Sequence, residues 1–180
     1  MIEKTVGEAK VRLIRGDITL LDVDAFVLHA RKDLALRTGF GGAVVARGGP
    51  TVQEELKKLG PLEVGQVAVS GAGNLTARHI IHAVAPGFQE EGEERKLAET
   101  VRNVLKRAEE IGIQRLAFPP LGSGFYGIPL DVSARVMVGV VEEHLAGRTG
   151  LKEVVFCVAD GREYGPFAAR LNGSQAGGAR

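Results

Sequence analysis

The sequence predicts an α/β protein with a mostly parallel sheet and helices on both of its faces. Three observations predict it. Short apolar runs alternate along the chain with longer segments of helical periodicity. Glycine-rich turns follow several of those runs, as they do at the carboxyl ends of parallel strands. The length of 180 residues, with 44% hydrophobic and 25% charged side chains, suits one domain with a sizeable core.

The elements follow in order. Residues 11–14 alternate apolar and basic side chains and read as a strand, and residues 25–28 form a short apolar run expected to be a buried strand. Gly39-Phe40-Gly41-Gly42-Ala43 leads into a short helical stretch. Residues 51–59 read as a helix, with Thr51 as its cap and Glu54 completing a capping box. Residues 66–70 and 78–83 are strands around a glycine-rich turn. Leu97, Val101, Val104, Leu105, Ala108 and Ile111 recur at helical spacing, which predicts an amphipathic helix over residues 93–111 that Gly112 stops. A strand over 115–118, a helix over 130–145 with Pro129 near its first turn, a strand over 153–158 and a helix over 163–171 complete the pattern. Residues 173–180 are small and polar and read as a flexible tail, so a single domain is expected over residues 1–172.

Composition narrows the function. Lys plus Arg number 23 against 22 Asp plus Glu, a near balance that gives no whole-chain field favouring nucleic acid or an anionic membrane. The longest apolar runs, such as residues 136–141, are too short to span a bilayer, and the N-terminus lacks the apolar core of a signal peptide. Cys157 is the only cysteine, so no intramolecular disulfide forms and a reducing, cytoplasmic home is expected. Scarce Asn and Gln point to a heat-adapted source.

The most informative stretch is Gly122-Ser123-Gly124-Phe125-Tyr126-Gly127, where a strand runs into a glycine-rich turn and then a helix. Glycines at this spacing leave backbone N–H groups free to point at an anion, and a following helix adds the positive end of its dipole. The loop is therefore expected to hold a phosphorylated ligand. It fits G-x-G-x-x-G, but it lies two-thirds of the way along the chain with one strand after it, and Asp160 is too distant to serve as the ribose acid of a dinucleotide fold. His79 and His82 point to opposite strand faces with no ligand-spaced acid or cysteine beside them, so no metal site is expected. His29 and His144 are isolated, and Cys157 reads as inert core. Asp17, at a strand end, reads either as a turn or helix cap or as an acceptor for a ligand N–H.

These pieces occur in a recognisable order: Gly16-Asp17-Ile18-Thr19, Asp24-Ala25-Phe26-Val27, Gly42-Ala43-Val44 with Gly48-Gly49-Pro50, Gly60-Pro61-Leu62-Glu63-Val64-Gly65, Ile80-Ile81-His82-Ala83-Val84-Ala85-Pro86, and Ala117-Phe118-Pro119 through Gly122-Ser123-Gly124. Over about residues 10–172 the chain resembles the macro domain family, most closely the macro domains of a histone variant. The resemblance implies a three-layer α/β/α sandwich around a mixed, mostly parallel central sheet. It implies ADP-ribose as the ligand, free or on an ADP-ribosylated protein, with no cofactor. Asp17 would accept the adenine amino group, with the Ile18 backbone beside it. The Gly122 loop would hold the diphosphate through the N–H groups of Ser123, Gly124, Phe125 and Tyr126, with Tyr126 near the distal ribose. Gly42, Ala43 and Val44 would form the opposite wall.

The chain departs from the family pattern at three places. Leu28-His29-Ala30-Arg31 stands where the family has Asn-Ala-Ala-Asn, so Arg31 replaces the Asn needed in hydrolytic members. Gly41 replaces an Asp that one hydrolytic class carries, and Ala159 replaces an aromatic beside the adenine. Binding is thus expected over turnover. The alternatives are a hydrolase acting on ADP-ribosylated protein or O-acetyl-ADP-ribose, and a degenerate fold with a different nucleotide, RNA or protein ligand.

Overall fold

The computed structural model describes residues 1–36 and 39–177. In chain order it contains β1 (Ile2–Val6), β2 (Ala9–Arg15), β3 (Ala25–His29), α1 (Gly39–Gly48), α2 (Thr51–Leu56), β4 (Val67–Gly71), β5 (His79–Ala83), α3 (Glu93–Glu110), β6 (Arg115–Phe118), α4 (Leu130–Ala146), β7 (Glu153–Val158) and α5 (Gly161–Gly177). The strands form one sheet in the order β1-β2-β7-β6-β3-β5-β4. Its five central strands run parallel, and β1 and β4 pair antiparallel at the edges. This is the expected mixed, mostly parallel sheet.

Strand periodicity sorts the side chains into two layers. Ala25 and Val27 of β3, Ile81 and Ala83 of β5, and Val154 and Phe156 of β7 join a core completed by α3, α4 and α5. Their neighbours Phe26, Leu28, Ile80, Val155 and Cys157 join a second core that includes Val44 of α1 and Val52 and Leu56 of α2. Burial on both faces is why these strands read as continuous apolar runs. The predicted stripe of α3 is the buried one: Leu97, Val101, Val104, Leu105 and Ala108 have no exposed surface.

Asp24 ties the amino-terminal ends of three strands together. Its Oδ2 accepts from the backbone N–H groups of Gln114 and Arg115, each at 2.9 Å, and its Oδ1 accepts from Arg78 at 2.9 Å. Its carbonyl takes the N–H groups of Arg78 and His79 at 3.0 and 3.2 Å. Burial pushes the Asp24 carboxyl up, but these hydrogen bonds and the Arg78 charge outweigh it, and the net direction is down.

Three elements differ from the sequence reading. The edge strand β1 was not predicted; its alternation is half-exposed and carries charges, which suits an edge. The capping box at Thr51 does not form, because Pro50 already has helical backbone angles and Thr51 lies inside the first turn. The last helix continues past Leu171 to Gly177, through residues expected to be tail. Extending an existing helix adds one hydrogen bond per residue fixed, so poor helix formers can follow a docked segment. Residues 178–180 of the predicted tail lie outside the described residues.

Candidate functional site

The carboxyl ends of β2, β7, β6 and β3 open into a cavity of about 920 Å³. Gly16, Asp17 and Ile18 follow β2, and Leu28 to Arg31 close β3 and the loop after it. Pro119, Pro120 and Ser123 to Tyr126 follow β6, and Cys157, Ala159 and Glu163 surround the end of β7. Gly39, Phe40 and Gly41 at the start of α1 form a further wall.

At one end, Asp17 is both the cap and the exposed carboxylate that its sequence allowed. Its Oδ1 accepts from the Thr19 N–H at 2.9 Å and the Thr19 hydroxyl at 2.6 Å, which starts a short 3-10 turn over Ile18–Leu20. Its Oδ2 is ion-paired with Arg47, which also donates to Thr19 Oγ1 at 2.7 Å. Burial pushes this carboxyl up; the bonds from Thr19 and Arg47 and the Arg47 charge pull it down further, so it stays ionised. A carboxylate has about four lone-pair sites, which leaves room for a ligand N–H. Cys157 lies beneath, its thiol 3.5 Å from the Gly16 carbonyl. Burial and the negative charges of Asp17 and Glu163 push the thiol up to about 11, which keeps it protonated and inert.

At the other end the donors are backbone. Gly124–Tyr126 form a 3-10 turn capped by Gly127. The N–H groups of Ser123, Gly124 and Phe125 precede its closing bonds and have no backbone acceptor among the described residues. A Cβ at Gly124 would meet nothing within 4 Å, so this position opens onto the cleft, whereas one at Gly122 would lie 2.5 Å from Ile128 Cδ1. Phe125 is 97% exposed at the tip of the turn. Across the cavity, Gly39, Phe40 and Gly41 supply leading N–H groups of α1, which a helix cannot satisfy internally. The open Ser123–Phe125 N–H groups and the amino-terminal end of α1 therefore line one space, the arrangement that anions bind.

His29, at the end of β3, packs against the glycine turn. Its ring stacks on Tyr126 with centroids 3.7 Å apart, and its Nδ1 accepts the Gly122 N–H at 3.2 Å. Burial pushes the imidazole down to about 4, which the Ala85 backbone offsets only in part. Arg31 is exposed on the rim, where its Nε and Nη2 donate to Asp33 at 3.1 and 3.3 Å. Leu34 is buried with φ +58°, a costly conformation for a leucine. Gln53 of α2 clamps this loop, accepting from the Leu36 N–H at 2.7 Å and donating to the Leu34 carbonyl at 3.3 Å.

The cavity brings together Asp17, Ile18, Ser123, Gly124, Phe125 and Tyr126 from the sequence-derived set. Gly42, Ala43 and Val44 are not on its surface: the helix turns them away, and Val44 is wholly buried in the core. The wall is Gly39, Phe40 and Gly41, three residues upstream. Gly122 is also off the surface and instead shapes the turn, its carbonyl taking the Ile128 N–H at 2.8 Å. The dipole expected from the helix after the glycine loop has a different owner. α4 starts at Leu130, beyond the 3-10 turn, and none of its residues lines the cavity, whereas α1 does. Asp160 caps α5 by accepting the N–H groups of Arg162 and Glu163. Sequence reasoning passed over His29 as isolated; its place in the Leu28-His29-Ala30-Arg31 departure was the available signal.

The sequence profile of the family described as Macro domain matches residues 29–137. An uncharacterized protein of Pyrobaculum aerophilum is 38% identical, with 92% of this chain and 93% of that protein covered. A macro domain-containing protein of Caldanaerobacter subterraneus subsp. tengcongensis is also 38% identical, with 86% and 91% covered. Among solved structures, an Oceanobacillus iheyensis macrodomain with ADP superposes with a TM-score of 0.93 at 22% identity, covering 98% of this chain and 97% of that one. A Trypanosoma brucei macrodomain in complex with ADP-ribose superposes with a TM-score of 0.84 at 26% identity, covering 89% and 68%.

Proposed function

Because the chain belongs to the macro domain family, we propose that it binds ADP-ribose, or a related ADP-ribosyl metabolite or protein, in the cleft at the strand carboxyl ends. The observation that carries this reading is the pairing of the Ser123–Phe125 N–H groups with the leading N–H groups of α1 around one space, with the Asp17 carboxylate at its far end. A diphosphate between the two donor groups would satisfy both. The adenine amino group would reach Asp17, and the distal ribose would lie toward Tyr126 and Arg31. The Trypanosoma brucei complex with ADP-ribose and the Oceanobacillus iheyensis complex with ADP support this choice of ligand.

Binding without turnover is the favoured form. Arg31 and Gly41 both line the cavity, and neither is a general acid or base at neutral pH. The carboxylates on the cavity surface, Asp17 and Glu163, are both close enough to Cys157 to raise its thiol, which places them at the base end. The domain expected from sequence over residues 1–172 also takes in the rest of α5, to Gly177. Cys157 as the single cysteine suits a reducing cytoplasm, and scarce Asn and Gln suit a heat-adapted source. No helix among the described residues is long and apolar enough to cross a membrane. Calorimetry against ADP-ribose, ADP, AMP, NAD and inorganic diphosphate tests the reading. One-to-one binding with ADP-ribose the tightest is expected; a different ligand binding tighter, or no nucleotide binding, would overturn it.

A further inference from the structure

We infer that His29 is a positioning residue that holds the phosphate-binding turn in its donor-ready shape, as a neutral imidazole protonated on Nε2. For its ligand arm the inference rests on the ADP-ribose reading; for the free protein it does not.

Two independent contacts carry it. Gly122, where the turn begins, donates its N–H to His29 Nδ1 at 3.2 Å. Tyr126, where the 3-10 turn ends, lies flat on the imidazole with centroids 3.7 Å apart and planes 20° apart. One side chain thus grips both ends of the segment whose middle N–H groups stay open. The first contact fixes the chemistry of the ring. A backbone N–H can donate only to a nitrogen without a proton, so Nδ1 is bare and Nε2 carries the hydrogen. Nε2 is buried with no partner in full hydrogen-bond geometry among the described residues, and the Ala85 backbone is the group that favours a proton on the ring. A second proton would place N–H against N–H at Gly122 and break the grip.

The surroundings keep the ring neutral. The groups against it are the Tyr126 ring, the Gly122 backbone and the Ala85 backbone after β5. Arg31 and Asp33, the charges that act on Tyr126, are exposed and paired with each other. Burial dominates and leaves His29 basic only near pH 4. The grip also acts where glycine alone would not. Gly122 has φ +79°, and its carbonyl is fixed by the Ile128 N–H, so His29 supplies the missing restraint on its other side.

Two variants separate acceptor from ring. In His29→Asn the amide Oδ1 falls where Nδ1 was and can still accept, though the stack is lost. In His29→Phe the stack stays and the acceptor is gone. Long-range proton–nitrogen NMR of the free wild-type protein should show the Nε2–H tautomer, neutral at pH 6. The Gly122 amide should exchange with solvent faster in His29→Phe than in wild type or His29→Asn. ADP-ribose should bind His29→Phe about tenfold more weakly, the size of one lost hydrogen bond, and His29→Asn within about threefold. An Nδ1–H tautomer, protonation at pH 6, or unchanged Gly122 exchange in folded His29→Phe would overturn the inference. If wild type binds no ADP-ribose, the ligand reading falls, and the tautomer and exchange measurements still decide the role of His29.

Discussion

Asp17 and Asp24 are seven residues apart and sit at opposite ends of the same sheet. Both are net-ionised carboxylates whose hydrogen bonds outweigh the cost of burial. Their partners differ in kind. Asp24 takes two backbone N–H groups and an arginine, and so closes the polar groups where β3, β5 and β6 begin. Asp17 takes one threonine and an arginine from α1, and around it at the strand exits the Ser123, Gly124 and Phe125 N–H groups stay open. One end of the sheet satisfies itself, and the other leaves donors in need of an acceptor. Unsatisfied groups are costly when buried, so a fold keeps them where solvent or a ligand completes them. The contrast predicts that substitutions at the first end cost stability and those at the second cost binding.

The sharpest way to break that contrast is Gly124→Glu. Cβ space at Gly124 is empty, so the chain should tolerate the side chain apart from a strain of about 1–2 kcal/mol at φ +66°. The carboxylate would then occupy the proposed phosphate position with a like charge. ADP-ribose binding should become undetectable by calorimetry while circular dichroism stays native. Unchanged affinity in a folded variant would place the site elsewhere.

Asp24→Ala should do the reverse. It strands the Gln114 and Arg115 N–H groups and Arg78, and should lower stability by about 2–3 kcal/mol, the range for a lost hydrogen bond to a charged group. For a chain of this size that is a fall in melting temperature of about 5–10 °C. ADP-ribose affinity of the folded variant should be unchanged. A large loss of affinity would mean that the two ends are coupled.

The sequence made the layers of this fold legible because their signals are local. The strands at 115–118 and 153–158 and the stripe of α3 are set by periodicity that no distant contact overrides. Asp17 and the glycine turn were legible for the same reason. What escaped was set by backbone placement. Pro50 took the helical conformation that left Thr51 unable to cap, and the start of α1 decided that Gly39 to Gly41, and not Gly42 to Val44, face the cleft. The two sets lie three residues apart, close to one helical turn, and motif spacing does not say which turn of α1 meets the cleft. His29 escaped because its partners, Gly122 and Tyr126, are more than ninety residues away in sequence.

At the ligand end, Asp17→Ala should cost ADP-ribose about 1.5–3 kcal/mol, the worth of a charge-assisted hydrogen bond, and should cost ribose-5-phosphate much less because that ligand lacks the base. Asp17→Ala loses two Thr19 bonds and an exposed Arg47 pair but strands one backbone N–H where Asp24→Ala strands two, so the melting temperature should move less than in Asp24→Ala. Calorimetry with both ligands checks this. Equal losses for both would remove Asp17 from the base.

The smallest expected effect concerns chemistry. The unmodified protein should release no ADP-ribose from mono-ADP-ribosylated Asp or Glu in an end-point assay, since positioned acid–base groups commonly supply about 10²–10⁴-fold and the two positions expected to carry them hold Arg31 and Gly41. Arg31→Asn alone should leave that result unchanged, because an amide supplies no proton at neutral pH. Adding Gly41→Asp is the fuller restoration, but the fold resists it. A Cβ at Gly41 would lie 3.2 Å from the Leu36 Cα, and Leu36 is held by Gln53 through its own N–H. The Leu36 backbone must yield by a few tenths of an ångström, so the double variant should gain at most weak turnover. The glycine at 41 is then a consequence of how closely the Leu34–Leu36 loop packs on α1. Robust turnover by the unmodified protein would overturn this and would put an acid or base at the open end that the contrast between the two ends leaves out.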